Sequence, residues 1–205
     1  MSPAANREGN SKARILDGAA EEFAAAGFAG ARIDRIARRT RLNVRMLYYH
    51  FGSKRGLYRA VLQHIYEHMA RILDELPAAD VGKQRTIEAF GRYFDLLTEY
   101  PRFADVLVRE QLDGAKHLKA LSRERPELFQ KIHEHARALV EDGIASGELQ
   151  GRLDPAMTVM SVTSTVCFLT AARHSHALFI GEERAQPKAW REHLMALLVD
   201  GLRAR

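Results

Sequence analysis

The sequence predicts an all-α fold, and three observations carry this prediction. Apolar residues along the 205-residue chain recur every three to four positions, which is the spacing of one face of an α-helix, and no segment alternates convincingly as a strand does. Glycine and proline interrupt these patterns, as at Gly27, Pro101 and Pro126. With 46% hydrophobic and 28% charged residues, the chain has enough apolar material for a folded core. We expect a disordered N-terminus at residues 1–10, one helical domain over 11–60 and a second over 61–205.

Four helices are predicted in the first region. Their expected bounds are 11–27, about 32–40, 43–51, and a long helix that starts at residue 53. Gly27 is a typical helix stop, since glycine readily adopts the left-handed conformation that ends helices. Asn43 and Ser53 are good N-caps, because their side chains can accept a hydrogen bond from the first turn.

The second region begins after a break at Leu76–Gly82, where the composition favours a connector. Its helical patterns are about 85–100, 103–117, 126–147, 154 to at least 173, and 187–202. Pro101 ends the first pattern, and Pro126 begins the third. Asp154 followed by Pro155 is an N-cap with proline at the first helical position.

Cysteine usage and the N-terminal residues predict a cytoplasmic protein. Cys167 is the single cysteine, so a disulfide framework and a Cys-rich zinc site are both excluded. The N-terminus has no apolar signal-peptide core. The longest uncharged stretch, 155–172, contains six Ser or Thr among 18 residues, which favours a buried helix over a membrane span.

The basic charge is concentrated near the N-terminus. Residues 1–60 carry 12 Lys or Arg and 5 Asp or Glu, whereas residues 61–205 carry 19 and 21. From Arg32 to Arg59, nine basic residues stand against one acid, Asp34. In a folded domain this excess favours binding to a polyanion, and a solvated surface is the alternative.

The second and third predicted helices have the size and order of a helix-turn-helix, with Thr40-Arg41-Leu42-Asn43 as the turn. At about 100° per residue, Leu47 and Phe51 share the inward face, and Arg45 and Tyr49 lie about 200° from Leu47. Arg can read guanine in the major groove, and aromatic or apolar side chains can contact thymine methyls. The candidate DNA-binding residues are Arg32, Val44, Arg45, Met46, Tyr48, Tyr49, His50 and Lys54.

A family resemblance lies in the same segment. Its residues are Phe23, Gly27, Ile36-Ala37, Leu42, Leu47-Tyr48-Tyr49-His50-Phe51, Ser53-Lys54 and Leu57. Together they resemble the DNA-binding region of the TetR family of transcriptional repressors, densely from residue 15 to about 62. The resemblance implies nine or ten helices, a homodimer on a double-stranded DNA operator, and a C-terminal helical domain that binds a small-molecule inducer.

Five positions depart from the family pattern. Arg41 stands where the family usually has a turn glycine, and Arg45 and Met46 replace a common Gly and Thr. Ala31 and Arg32 replace small hydroxyl residues at the start of the second helix, so Arg32 is expected to substitute for a lost phosphate contact. The operator sequence therefore cannot be inferred from relatives.

Candidate ligand-binding residues lie in the second region, where aromatic side chains are frequent. They are Phe90, Tyr93, Phe94, Phe103, His133 and Phe168. Core packing is the alternative for each aromatic residue. A regulator controlled by a protein partner, or by no effector, would have a C-terminal core without a pocket.

An enzyme, a metal site and a bound cofactor are not expected. The pairs His133/His135 and His174/His176 are two residues apart, so on a helix they point about 200° away from each other. No phosphate loop, nucleophile elbow or zinc motif is present in the sequence.

The last two predicted helices, 154–174 and 187–203, are expected to pack against their copies across a two-fold axis. Both are apolar on more than one face, and the Ser and Thr residues of the first permit close packing.

Overall fold

The computed structural model describes residues 3–76 and 85–202, apart from the side chains of 3–11, 13 and 198–200. The described residues contain helices and no strand, which confirms the predicted all-α fold. The helices are α1 (Pro3–Gly30), α2 (Ile33–Thr40), α3 (Val44–Phe51), α4 (Lys54–Asp74), α5 (Arg85–Glu99), α6 (Pro101–Leu112), α7 (Lys116–Glu124), α8 (Pro126–Ala145), α9 (Pro155–Ala171), α10 (Arg173–Ile180) and α11 (Pro187–Leu202).

The chain divides into two compact units. Unit 1 comprises residues 1–67 and 105–126, and unit 2 comprises 68–104 and 127–205. Residues 105–126, which the sequence alone assigns to the second region, therefore belong to the unit that contains the helix-turn-helix.

Unit 1 is built around the apolar face of α1. This helix packs on α2, and α2 packs on α3. The buried side chains at their centre are Ile15, Leu16, Ala19, Ala20, Phe23, Ile36, Ala37 and Leu47. These are the positions that the helical periodicity selects, so the hydrophobic effect holds the three helices together along the predicted faces.

Unit 2 is organised around α5, which packs on both α9 and α11. Its buried side chains include Ile87, Phe90, Phe94 and Leu97 of α5, which form the predicted stripe. On α9, every fourth residue from Thr158 to Thr170 is buried, so one face of this helix is in the core.

The observed helices differ from the predicted ones in three places. α1 reaches back to Pro3, although no order is predicted before residue 11, and its backbone is non-helical at Gly27 (φ 65°). The pattern predicted over 103–117 ends at Leu112, and a separate helix, α7, follows it. The helix predicted to run through Arg173 stops at Ala171, and α10 begins after a single residue. The predicted connector at 76–82 lies almost entirely outside the described residues.

Among the described helices, none is by itself both long and apolar enough to cross a membrane. One pair of helices is long and apolar enough only when the two are taken together, by length and composition alone. The pair is Pro155–Ala171 and Arg173–Ile180, which are bent by 79° relative to each other.

Candidate nucleic-acid interface and ligand pocket

The helix-turn-helix presents α3 with one face buried and the other in solvent. Leu47 is 2% exposed and anchors the helix, whereas Tyr49 is 81% exposed. The Oδ1 atom of Asn43 accepts a hydrogen bond from the Met46 backbone N–H at 2.8 Å, which confirms the predicted N-cap. The angular prediction is thus confirmed for the inward Leu47 and the outward Tyr49.

Six of the predicted DNA-binding side chains share the exposed surface of α3. They are Val44, Arg45, Met46, Tyr48, Tyr49 and His50. Tyr49 and His50 make an edge-to-face contact, with their ring centroids 5.3 Å apart. The surface combines one guanidinium with aromatic and aliphatic groups, which suits hydrogen bonding to guanine and contact with thymine methyls.

The turn before α3 holds Arg41 in an uncommon backbone conformation. Arg41 follows α2 with φ 58° and ψ 34°, in the left-handed region. Its backbone N–H points back to the carbonyl of Arg38 at 3.3 Å. Because a side chain at this φ crowds the backbone, glycine is favoured here, and the sequence departs from the family pattern at a strained position.

The start of α2 is capped from outside the helix. Arg32, at the N-cap position, makes no side-chain capping bond, and its side chain is exposed. Its backbone N–H donates to Oε1 of Glu22 at 3.1 Å. Glu22 is only 3% exposed and also lies 3.8 Å from the Arg35 guanidinium. A buried carboxylate of α1 therefore accepts from the backbone N–H of the N-cap residue, as the Glu of a capping box does, and brings negative charge to the start of α2.

Lys54 begins α4 beside the end of α1. Its Nζ atom donates to the backbone oxygen of Ala29 at 3.0 Å and lies 5.2 Å from the centre of the Phe28 ring. The Ser53 hydroxyl accepts from the Gly56 N–H at 3.0 Å, which confirms the predicted cap of this helix. Because an ammonium has three hydrogens, the Lys54 side chain retains donors for a phosphate.

A second buried carboxylate in unit 1, that of Glu110, connects three helices. Glu110 is 0% exposed, and its Oε1 atom accepts from the backbone N–H groups of His117 at 2.7 Å and Leu118 at 3.0 Å. Its Oε2 atom accepts from the Tyr58 hydroxyl at 3.0 Å and lies 3.1 Å from Nδ1 of His117. Glu110 thus caps α7 and ties it to α4 and α6.

Tyr58 is kept neutral in this cluster. Burial raises the pKa of its phenol well above the usual range, and the neighbouring Glu110 carboxylate raises it further. The hydroxyl therefore stays a hydrogen-bond donor at any ordinary pH. The ring also packs edge-to-face against Phe23 (4.7 Å) and near His117 (4.9 Å), so α1, α4 and α7 share one aromatic contact region.

Unit 2 contains a pocket of about 180 Å³. Its lining residues are Phe94, Thr98, Pro101, Leu169, Thr170, Arg173, His176, Ala185, Pro187 and Trp190. Among these described residues the lining is mainly apolar, none is acidic, and Arg173 carries the one full positive charge. The His176 and Trp190 rings pack at 4.7 Å.

The indole nitrogen of Trp190 is an unusual feature of this lining. Nε1 is buried and has no hydrogen-bond partner among the residues that the structure describes. A buried donor left unpaired costs about 1–3 kcal/mol, so such groups are uncommon in folded proteins and call for an explanation.

The predicted ligand-binding residues are dispersed within unit 2. Phe94 lines the pocket described above, and the other five do not. Phe90, Tyr93 and Phe103 are buried, and the Phe103 ring stacks on Tyr100 at 5.0 Å. Phe168 is 63% exposed, and His133 is exposed on α8. A ligand-binding role for these five residues stays a prediction.

Sequence reasoning missed most of the pocket, as well as both buried carboxylates. Two weak signals pointed to the pocket: Arg173 is the first charge after an 18-residue uncharged run, and Trp190 is the single tryptophan of the chain. For Glu22, the signal was an acid within the apolar pattern of α1. Glu110 carried no such signal, because its partners are Tyr58, which is 52 residues away along the chain, and groups of a helix that the sequence did not predict.

In the described part of the chain, no group of three or more His, Cys, Asp or Glu is placed to hold a metal ion.

Two family models match this chain. Residues 15–61 match the model described as bacterial regulatory proteins, tetR family, and residues 85–201 match the tetracyclin repressor-like C-terminal domain. The chain belongs to the TetR family. It is therefore a helix-turn-helix transcriptional regulator, and the match over 15–61 covers all of α2 and α3.

Two transcriptional repressors are similar to this chain along much of their length. The transcriptional repressor NicS of Pseudomonas putida is 30% identical over 200 residues, which cover 92% of this chain and 91% of NicS. The transcriptional repressor SCO4008 of Streptomyces coelicolor is 31% identical over 66% of each chain.

Solved TetR-like structures share the fold at low identity. FadR of Bacillus subtilis, in complex with stearoyl-CoA, has a TM-score of 0.66 at 19% identity and covers 92% of this chain and 97% of its own. The ketosteroid regulator KstR2 of Mycobacterium tuberculosis has a TM-score of 0.69 at 15% identity, over 95% of each chain.

Proposed function

We propose that this TetR-family protein is a repressor that binds a palindromic operator as a homodimer and is released by a small molecule bound in unit 2. The observation that carries the proposal is the exposed surface of α3, where a guanidinium and two tyrosines project from a helix anchored by Leu47. NicS and SCO4008, both named as repressors, support repression over activation.

On DNA, α3 would lie in the major groove. Arg45 would donate two hydrogen bonds to guanine O6 and N7, and Val44, Met46 and Tyr49 would contact base edges and thymine methyls. Positioning contacts to phosphates would come from Arg32, Tyr48, His50 and Lys54. In a dimer, two such helices would reach successive major grooves about 34–36 Å apart.

Release from the operator would follow because the small molecule binds two conformations of unit 2 with different affinities. A small molecule that prefers one conformation of unit 2 shifts the protein towards that conformation, and the spacing of the two recognition helices then no longer fits the operator. The 180 Å³ pocket favours this control over regulation by a protein partner, which needs no cavity.

Arg45→Ala tests the reading of bases. We expect a loss of about 1–3 kcal/mol on an operator selected from random duplexes, with relaxed preference at one position in each half-site. Binding is measured by fluorescence anisotropy on the operator and on scrambled DNA. Arg137→Ala, at an exposed arginine of α8 in unit 2, is the matched control and should bind both DNAs like the wild type.

Lys54→Ala provides the contrast. It should weaken binding to operator and scrambled DNA alike and reduce the slope of log K against log salt by about one. Equal losses on both DNAs for Arg45→Ala would remove Arg45 from direct readout and leave that role to Val44 and Tyr49. Failure of the wild type to prefer any selected duplex would contradict the proposed function itself.

A further inference from the structure

We infer that Lys116, at the start of α7, contacts a phosphate of the operator and so extends the DNA-binding surface beyond the helix-turn-helix. The inference rests on the proposed function, because it adds one contact to the proposed complex with DNA. Three observations carry it: the position of the Lys116 ammonium relative to that of Lys54, the anchored start of α7, and the exposure of the Lys116 side chain.

The ammonium groups of Lys54 and Lys116 lie beside the same aromatic ring. The Nζ atom of Lys54 is 5.2 Å from the centre of the Phe28 ring, and that of Lys116 is 6.0 Å from it. The two nitrogens are therefore no further apart than the sum of these distances, about 11 Å. Each strand of B-DNA carries one phosphate per about 3.4 Å of helix axis, so this span covers roughly three consecutive phosphates. When Lys54 contacts one phosphate, a neighbouring phosphate is within reach of Lys116.

The backbone at the start of α7 is anchored by buried groups. The Glu110 carboxylate accepts from the backbone N–H groups of His117 and Leu118, which ties the first turn of α7 to α6. The buried His117 ring packs on Phe28, with the ring centroids 4.3 Å apart. Lys116 thus projects from an anchored backbone, and only its own side chain has to become ordered when DNA binds. Such a contact costs little conformational entropy on binding.

The Lys116 ammonium is free to meet a phosphate. Its side chain is exposed, and no carboxylate among the described residues pairs with it. At 6.0 Å from the Phe28 ring, the ammonium is at the outer limit of a cation–π contact and is held only weakly. Asp113 lies in the turn before α7, so this segment is not uniformly basic. We therefore infer one ammonium contact and not a basic face.

Lys116 lies outside the part of the chain that matches the DNA-binding family model, residues 15–61. It falls within residues 85–201, which match the C-terminal domain. The structure nevertheless includes residues 105–126 in the same compact unit as the helix-turn-helix. The fold thus brings a lysine of the C-terminal sequence region into the DNA-binding unit.

The salt dependence of binding tests the contact. Lys116→Gln removes the charge and keeps an aliphatic stem beside Phe28, and the exposed position should leave the fold intact. Anisotropy on the selected operator should show a slope of log K against log salt that is smaller in magnitude by about 0.9 per subunit, because fewer counterions are released. Lys116→Arg keeps the charge and should retain the wild-type slope.

Lys119→Gln is the matched control. It removes the same charge one turn further along α7, where the Lys119 ammonium donates to the Gly114 carbonyl at 3.1 Å. This variant should bind the operator with the wild-type slope. A slope change as large as that of Lys116→Gln would show that the overall charge of α7, and not a contact by Lys116, is responsible, and would overturn the inference.

Uncharged phosphate analogues locate the contact. A methylphosphonate replaces one phosphate of the operator at a time by a group without charge. We expect one position in each half-site where this change weakens the wild type about threefold or more and weakens Lys116→Gln less than half as much. The same series with Lys54→Gln should identify a different position, within about three nucleotides of the first.

Two further results would each overturn the inference. One is an unchanged salt slope for Lys116→Gln, with the circular dichroism of the wild type. The other is a methylphosphonate series in which every position weakens Lys116→Gln as much as the wild type.

The wild-type protein separates this inference from the proposed function. If the wild type prefers the selected duplex and Lys116→Gln has the same slope, only the inference is contradicted. A wild type that prefers no duplex contradicts the proposed function. A smaller slope for Lys116→Gln on scrambled DNA would in that case leave the phosphate contact standing.

Discussion

At the residue scale, Arg41 has a backbone conformation that favours glycine. Its φ of 58° lies in the left-handed region, which costs most side chains roughly 1–2 kcal/mol. Glycine adopts this conformation without that cost. However, glycine also has more conformational entropy in the unfolded chain, which offsets part of the stability that it would add at this position. The departure from the family glycine at this turn is therefore expected to make the domain less stable.

We predict that Arg41→Gly raises the free energy of unfolding by about 0.5–1 kcal/mol, because it relieves the left-handed backbone. Urea unfolding followed by circular dichroism measures the change. Arg41→Ala is the matched control, since it removes the same side chain and keeps a Cβ at the strained position. A gain as large for Arg41→Ala would show that charge, and not the backbone, is responsible.

The second residue-scale prediction concerns the buried Tyr58 hydroxyl. Tyr58→Phe removes one of the donors to Glu110 and leaves the aromatic packing intact. Because the acceptor is a fully buried carboxylate, we expect a loss of about 1–3 kcal/mol in the free energy of unfolding by urea. Tyr49→Phe, at an exposed tyrosine, should change stability by less than about 0.5 kcal/mol. Equal stability of Tyr58→Phe and the wild type would mean that water or His117 replaces the lost hydrogen bond.

At the element scale, the contact between α1 and α2 depends on a glycine. A Cβ built on Gly18 would lie 2.8 Å from Cγ2 of Thr40. Thr40 cannot easily rotate away, because it is β-branched and its hydroxyl donates to the Ile36 carbonyl at 2.8 Å. The close approach of the two helices is thus fixed by the absence of a side chain.

Gly18→Ala is predicted to destabilise the protein by about 1–3 kcal/mol through this overlap, despite the better helix propensity of alanine. In a Thr40→Ser background the methyl group is gone, so the same substitution should stabilise by up to about 1 kcal/mol. Urea unfolding of the four proteins forms a double-mutant cycle. If Gly18→Ala still lowers the free energy of unfolding in the Thr40→Ser background, the steric explanation is wrong.

The element scale also shows what the sequence could predict. Helices with a local cap or a proline boundary were predicted with nearly the observed bounds, as for α3 after Asn43 and α11 from Pro187. In these helices the signals that start the element lie next to it in the chain. The outward face of α3 followed from the same local periodicity, because Leu47 alone fixes the orientation of eight residues.

Two helices were missed. The break before α7 has a local signal that was overlooked, because Asp113-Gly114 is a turn dipeptide and Gly114 has a φ of 76°. The start of α7 also depends on a residue of another helix, since its first N–H groups are satisfied by Glu110 of α6. The break between α9 and α10 falls at Ala172, with neither glycine nor proline to mark it. The pocket depends on this break, since Arg173 and His176 follow it, and so periodicity alone could not predict the pocket lining.

At the scale of the whole molecule, the outer face of α9 is the strongest sign of a homodimer. Its inner face is buried at Thr158, Val162, Val166 and Thr170. Its outer face carries no charge and exposes Met157, Met160, Ser161, Ser164, Thr165 and Phe168. Large apolar side chains mixed with small residues along one exposed helix face are typical of a surface that a second copy covers. Leu197 of α11, 60% exposed, adds to the apolar surface expected from the last two helices.

We predict that light scattering at micromolar concentration gives twice the chain mass for the wild type, and the mass of one chain for the double variant Met160→Glu/Phe168→Glu. Both side chains are more than 60% exposed in the single chain, so the charges should leave the monomer folded while preventing apolar burial between two copies. Leu112→Glu changes an 82% exposed leucine of unit 1 in the same way and should remain dimeric. The double variant should also lose operator affinity at least tenfold, because one recognition helix alone contacts only a half-site. A wild-type protein with the mass of one chain would show that α9 does not form a dimer interface. A double variant that stays dimeric with unchanged circular dichroism would show the same.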